Sequence, residues 1–324
     1  MAAPIKIKFL DGYPGFLTDR NLYTYRLDTR FDLEISDDPD FVFFGVIGYE
    51  HARARYDKCI RIWYTDENFR PDFTKCDYAL TFDYMEKEPR NLRFPLYVRG
   101  CQWSWLVKSP QADLEAMLRT KTRFCNFVYT NANARIRQEF FHKLSRYKRV
   151  DAAGRVCNNV GYLADNKLDF LSPYKFTIAF ENASWPGYTT EKIVDPMLVG
   201  SMPIYWGNPL IERDFNPRSF VNCHEFSSLD EVVDEVIRLD QDDSLYLAKM
   251  KEPWFHDNVP NEYFGSTYLT DFFARVFERE PYSYPRWSGV IPRNFGIIQF
   301  MPERAEYLKN LDLFVGPMEH RIFE

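Results

Sequence analysis

From Phe124 to Leu239 the sequence alternates short apolar runs with amphipathic ones, and this order narrows the fold more than any other feature. FCNFVYT (124–130), KFTIAFE (175–181), MPIYWG (202–207) and SFVNC (219–223) read as strands, apolar enough to be buried on both faces. NARIRQEFFHKLSRY (133–147), TTEKIVDPMLVG (189–200) and SLDEVVDEVIRL (228–239) carry helical periodicity instead. In the last of these, Val232, Val233, Val236 and Ile237 fall on one side. Asn133 is the expected cap of the first helix, and Gly200 the expected stop of the second. Pro196 lies inside the second helix, which is therefore expected to be short or bent after its first turn. Strands alternating with helices require parallel sheets covered on both faces.

The first hundred residues show mainly the strand half of the pattern. IKIKFL (5–10), DFVFFG (40–45), CIRIWYT (59–65), YALTF (78–82) and FPLYV (94–98) read as strands. The helices between them are weakly marked, and residues 100–120, with Trp103, Trp105 and SPQAD, read as a linker. Two such halves in 324 residues imply two Rossmann-like α/β domains facing a cleft. The expected boundaries are 1–115, 120–284, and a tail at 285–324 that packs back on the first domain.

Charge and composition then exclude several classes. A net charge of -6 argues against a nucleic-acid backbone as partner. No apolar run approaches the roughly 20 residues of a membrane span. MAAPIKIKFLDG enters a strand directly rather than reading as a signal peptide. Cys59, Cys76, Cys101, Cys125, Cys157 and Cys223 lack metal-site spacing and read as reduced thiols. A cytoplasmic protein is expected, with peripheral attachment to the inner face of the membrane as the alternative. GxGxxG, GxxxxGK[ST] and GxSxG are all missing, which removes the main support for dinucleotide oxidoreductases, P-loop enzymes and α/β-hydrolases.

Within GYTTEK, Lys192 falls in the first turn of a helix, where a cation is disfavoured by roughly 0.3–1 kcal/mol. A nearby anion would explain the placement. With Thr189 or Thr190 as cap, Tyr188, Glu191 and Lys192 are spaced to share one face, and the helix terminus plus the lysine suit a phosphate. A surface Glu–Lys pair is the competing explanation. In YTNANARIR (129–137), Arg135 and Arg137 point to opposite sides of a helix, so one of them can grip phosphate oxygens; a solvated face is the alternative. In RIWYTDENF (61–69), Asp66 and Glu67 follow a strand directly and are candidates for a general base, against an ordinary acidic loop. DDPD (37–40) and DQDD (240–243) read as polar turns rather than metal sites, with Asp38 and Asp40 the alternative ligands. His224 and His256 read as structural.

FTIAFENASWPGYTTEKIVDPMLVGSMPIYWGNP resembles the donor-binding signature of the α1,3/4-fucosyltransferases, glycosyltransferase family 10. The similarity continues through YTDEN, YTNANARIR and RDFNPRSFVN and covers about residues 60–280. It implies a GT-B fold in which the C-terminal domain holds GDP-fucose and the N-terminal domain the acceptor sugar. Arg137 matches the arginine that binds the diphosphate, and Tyr188, Glu191 and Lys192 match nucleotide-sugar residues. Lys192 would meet the phosphates and Glu191 the donor hydroxyls; Asn182 matches the Asn of the FEN element and Glu67 the general base. The chain departs from the pattern at Asp66, at Ala183 and at Cys157, where the family more often has Gly, Ser or Thr, and Arg.

What the resemblance implies is inverting transfer of L-fucose from GDP-fucose to a hydroxyl, expected to be O3, of an N-acetylglucosamine or glucose unit. An α1,4 or dual linkage is one alternative, and a non-catalytic nucleotide-sugar-binding protein another. No obligatory metal is expected. Without an anchor or heptad repeats in the sequence, the chain is expected to be a soluble bacterial-type member, with GDP-fucose and an oligosaccharide as its partners.

Overall fold

The computed structural model describes residues 3–99 and 101–278. The expected tail at 285–324 lies outside the described residues. The described residues form two compact units, one made of the chain up to Phe94 together with the segment from Glu262 onward, the other Pro95–Asn261.

The first unit is a parallel sheet of six strands: β1 (Ile5–Leu10), β2 (Leu33–Ile35), β3 (Phe41–Phe44), β4 (Ile60–Tyr64), β5 (Tyr78–Thr81) and β6 (Asn91–Arg93), in the order β2-β1-β3-β4-β5-β6. Its connections are mostly turns and single 3-10 turns; α1 (Leu22–Leu27) is the helix that the first half contributes, capped by Asn21. This explains why helical periodicity was faint there.

The second unit holds α2 (Leu96–Arg99), α3 (Leu114–Thr120), β7 (Arg123–Phe127), α4 (Arg135–Leu144), β8 (Val150–Ala152), α5 (Lys167–Leu171), β9 (Tyr174–Phe180), α6 (Glu191–Leu198), β10 (Met202–Trp206), β11 (Val221–Asn222), α7 (Leu229–Gln241) and α8 (Asp243–Lys251). Its five strands are again all parallel, in the order β11-β10-β9-β7-β8. All seven residues of β9 are buried, as its unbroken apolar run requires at the centre of a covered sheet.

Three expectations need correction. FPLYV is not a strand: Phe94 N–H closes the edge of β6 onto the Thr81 carbonyl, and Leu96–Arg99 turn helical. Pro95 permits this, because a proline at a helix start forfeits only a hydrogen bond that the first turn lacks anyway. Residues 100–120 are not an unstructured linker, since α3 occupies their second half with Asp113 as cap. The chain also returns to the first unit earlier than position 284. The final described helix, α9 (Tyr268–Phe277), places Phe273 5.4 Å from Phe43, and Phe277 5.0 Å from Phe31 and 4.8 Å from Phe41 (ring centres). Apolar burial against the first sheet outweighs sequence proximity to the second.

In each sheet the strand order reverses once, between β1 and β3 and between β7 and β9. Outside the carboxyl ends of strands at such a reversal lies the crevice where ligands of open parallel sheets bind. None of the described helices is long and apolar enough to cross a membrane.

Candidate active site

The reversal in the second sheet gathers most of the residues singled out from the sequence. Beyond the end of β7, Tyr129 is buried and its hydroxyl donates to the Ile178 carbonyl (2.7 Å) while accepting the Phe180 N–H (2.7 Å). The phenol thus bridges β7 to β9 at their carboxyl ends. Arg137, in the first turn of α4, is 1% exposed and lies over the Tyr129 ring at 4.2 Å. Its Nε donates to the Phe180 carbonyl (2.9 Å) and Nη2 to Asn182 Oδ1 (2.6 Å). Arg135 is exposed, as opposite helix faces demand. The cap of α4 is Ala134 rather than Asn133, and it makes no side-chain cap bond.

Glu181 directly follows β9 and is fully buried. Its carboxylate accepts from the Thr190 N–H (2.8 Å) and from the Thr190 hydroxyl (2.9 and 2.8 Å). A Cβ on Gly207, which follows β10, would overlap Glu181 Cγ and come within 2.8 Å of the Tyr205 hydroxyl. Glycine at 207 therefore makes the space that Glu181 fills.

Thr190 caps α6, so Tyr188 precedes the helix and does not share a helical face with Glu191 and Lys192. Tyr188 is buried, and its carbonyl accepts from the Tyr205 hydroxyl (3.4 Å).

Lys192 Nζ lies 3.3 Å from Glu191 Oε1, 3.4 Å from Glu181 Oε2 and 3.0 Å from Thr190 Oγ1. Two carboxylates are therefore the anions that repay a cation in the first turn. Burial opposes the Lys192 charge, but Glu191 and then Glu181 outweigh it and hold its pKa above the ordinary lysine range. Burial likewise opposes the Glu191 charge; Lys192 and Lys167 outweigh it and bring the carboxyl down to about 2. For Glu181 burial wins over Lys192 and its pKa rises. Lys167 completes the cluster through Asp195 at 2.7 Å. Burial also raises the Tyr129 phenol, with Arg137 and Lys192 both pulling the other way.

The site thus balances Arg137, Lys167 and Lys192 against Glu181, Glu191 and Asp195. In this largely buried cluster Arg137 is already oriented, and an incoming polyanion needs only to draw Lys192 away from its carboxylates. FENASWPGYTTEK exposed the Lys192 and Glu191 positions. Glu181 stood in the same stretch, yet only its contact with Thr190 reveals its part. Tyr129 and Lys167 reach the site from other parts of the chain, whereas Asp195 lies on α6 itself, one turn beyond Glu191 and Lys192, a spacing that could have marked it.

Glu67 belongs to the first unit, in the loop after β4, half-buried like Asp66. Its N–H donates to Thr65 Oγ1 (3.0 Å) and its carbonyl accepts from the Phe69 N–H (2.7 Å), which fixes the backbone that presents it. Glu50, in the loop after β3, is held by Arg53 (2.6 Å) and Arg55. The two acidic turns are structural: Asp37 pairs with Lys8 (2.5 Å), Asp240 with Lys148 (2.5 Å) and Asp243 with Lys175 (2.8 Å). Among the described residues no group of three or more His, Cys, Asp or Glu is arranged for a metal. His224 stacks on Trp206 and His256 Nε2 lies 2.6 Å from the Glu212 carbonyl, both structural contacts.

Comparison with known proteins agrees with this layout. Residues 7–99 match the α-(1,3)-fucosyltransferase FucT N-terminal domain, and residues 118–256 match the C-terminal domain of glycosyltransferase family 10 (fucosyltransferase). The chain is 34% identical over 297 residues to the α-(1,3)-fucosyltransferase FucT of Helicobacter pylori, an alignment covering 78% of this chain and 61% of that protein. It therefore spans about three fifths of that relative's length. A crystal structure of an α1,3-fucosyltransferase superposes with a TM-score of 0.73 at 30% identity, covering 86% of this chain and 93% of that one. One of an α1,3-fucosyltransferase with GDP-fucose gives a TM-score of 0.71 at 28% identity over the same shares. The two parallel α/β units are thus of the GT-B type.

Proposed function

The chain belongs to glycosyltransferase family 10, the fucosyltransferases, and from that premise we propose that it transfers L-fucose from GDP-fucose to O3 of an N-acetylglucosamine or glucose unit, inverting the anomeric centre. The observation that carries this reading is the placement of Arg137 over Tyr129 and against Asn182 at the β7/β9 reversal, with Lys192 in the first turn of α6. A similar protein solved with GDP-fucose supports the choice of donor.

In this reading the GDP diphosphate takes the pocket at the ends of β7 and β9. As the bond between fucose C1 and the phosphate oxygen breaks, negative charge grows on the leaving group. Arg137, Lys192 and the N-terminus of α6 stabilise it. Lys192 is the mobile member, since its long side chain can turn from Glu181 and Glu191 to a phosphate. Arg137 is the fixed one, held by Phe180, Asn182 and Tyr129. Glu191, kept ionised, is placed to accept hydrogen bonds from donor hydroxyls. Glu67 removes the proton from the attacking acceptor hydroxyl, and the sugar passes through an oxocarbenium-like state. Because the leaving charge is met by side chains, the reaction needs no metal in this scheme. The compartment we assign is the cytoplasm, which suits cysteines kept as reduced thiols.

Incubating the protein with GDP-fucose and a panel of lactose, N-acetyllactosamine and the isomer with a free O4 tests the proposal. Acceptor-dependent GDP release with an α1,3 product, unchanged by EDTA, is the expected result. No transfer to any saccharide, with GDP still bound, would replace it by a nucleotide-sugar-binding role.

A further inference from the structure

The first sheet has a reversal of its own, between β1 and β3, and a carboxylate–imidazole pair is built into it. Asp11 directly follows β1 and His51 lies in the loop after β3. His51 Nδ1 is 2.6 Å from Asp11 Oδ2, with side chains 12% and 5% exposed. The same carboxylate accepts the backbone N–H of Glu50 (3.0 Å) and of His51 (3.1 Å). Burial opposes the Asp11 charge, but these His51 and backbone hydrogen bonds outweigh it and keep its pKa below the usual carboxylate value. Asp11 adopts a left-handed backbone (φ 54°), and a Cβ on Gly48 would overlap its Oδ1. The imidazole is fixed from its other side by stacking on Phe44 at 3.9 Å.

An ionised carboxylate against Nδ1 selects the tautomer with the proton on Nδ1, which leaves Nε2 as a lone-pair acceptor. Among the described residues Nε2 meets no hydrogen-bond partner. Such an atom takes an O–H or N–H donor. The buried Asp11 charge disfavours an anion, and a lone His–Asp pair is too few ligands for a cation site. A neutral polyhydroxyl compound fits, and Tyr49, 54% exposed and two residues earlier, offers the aromatic surface that sugars pack on. Because β1, β3 and β4 are parallel neighbours, Asp11, His51 and Glu67 all leave the same edge of the sheet.

We propose that His51, oriented by Asp11, is a positioning residue whose Nε2 accepts a hydrogen bond from a ring hydroxyl of the acceptor sugar. This rests on the reading of the chain as a fucosyltransferase with a saccharide acceptor. His51 does not take the reacting proton; it orients the sugar whose hydroxyl Glu67 deprotonates.

Two measurements on the full chain test it. With 15N-labelled histidines, adding N-acetyllactosamine to the GDP complex should shift the His51 Nε2 resonance, identified among the five histidines by its loss in His51→Ala. In turnover, His51→Ala should raise the acceptor KM about 10- to 100-fold, the usual worth of a hydrogen bond to a buried partner, with GDP affinity unchanged and His51→Gln partly restoring it. An unmoved resonance, or an unchanged acceptor KM, overturns the proposal. So does a collapse of kcat together with loss of the acidic limb of its pH profile, because His51 would then be the base. If the resonance moves but no fucose is transferred, the fucosyltransferase reading fails while sugar recognition at His51 stands.

Discussion

Arg137 Nη2 donates to Asn182 Oδ1 at 2.6 Å, while Nε of the same guanidinium holds the Phe180 carbonyl at 2.9 Å. One side chain thereby ties the start of α4 to the end of β9, across the reversal of strand order where ligands of open parallel sheets bind. Lysine cannot reproduce this, since its ammonium lacks the planar fork that reaches two acceptors at once. Arg137→Lys should weaken GDP binding by about 10- to 100-fold, as expected for a lost charge-assisted hydrogen bond and its misplaced neighbour. Calorimetric titration with GDP measures it; an affinity within twofold of the wild type would remove Arg137 from the diphosphate site.

Glu67→Gln keeps the size of the side chain and removes its basicity. Turnover should fall about 10²- to 10⁴-fold, the usual contribution of a general base. GDP affinity should stay as it was, because Glu67 lies in the loop after β4 of the first unit. Near-normal turnover would transfer the role to Asp66, which shares its loop.

Gly207→Ala places a methyl group in the volume filled by Glu181. Overpacking of this kind costs about 1–3 kcal/mol, and here it also displaces the carboxylate that holds Thr190 and Lys192. We expect a lower unfolding midpoint together with weaker GDP binding. If both are unchanged, the contact between Glu181 and the cap of α6 is dispensable.

The low pKa of Glu191 makes a pH-dependent prediction. Its carboxyl falls from 4.5 to about 2 on folding, so the folded state favours the ionised form. That advantage is complete above the unfolded value and is lost as pH falls from 4.5 through about 2. The difference in pKa corresponds to about 3 kcal/mol. Urea unfolding of the wild type and Glu191→Gln should show their widest gap near neutrality and a narrowing gap as the acid range is entered. A gap independent of pH would mean that Glu191 is not ionised against Lys192 and Lys167.

The amino-acid sequence alone determined the parallel α/β architecture, because continuous apolar runs such as KFTIAFE can be buried on both faces only in a covered parallel sheet. It also marked Lys192, since a cation beside the cap of a helix calls for an anion, whereas Arg137 was set apart from Arg135 only by the family resemblance. Local signals carried that much because hydrophobic period, caps and turn residues act within a few positions of each other. Where partners are distant in sequence, only the fold decided. Pairing of Lys192 with Glu181, support of Arg137 by Tyr129, return of α9 to the first sheet and the meeting of Asp11 with His51 are all such cases. FPLYV shows the same limit at short range: its apolar run suits a strand or a buried helix equally, and packing of α2 on α6 chose the helix. Burial energy depends on what a residue meets across the core, and a linear pattern states only that it must be covered.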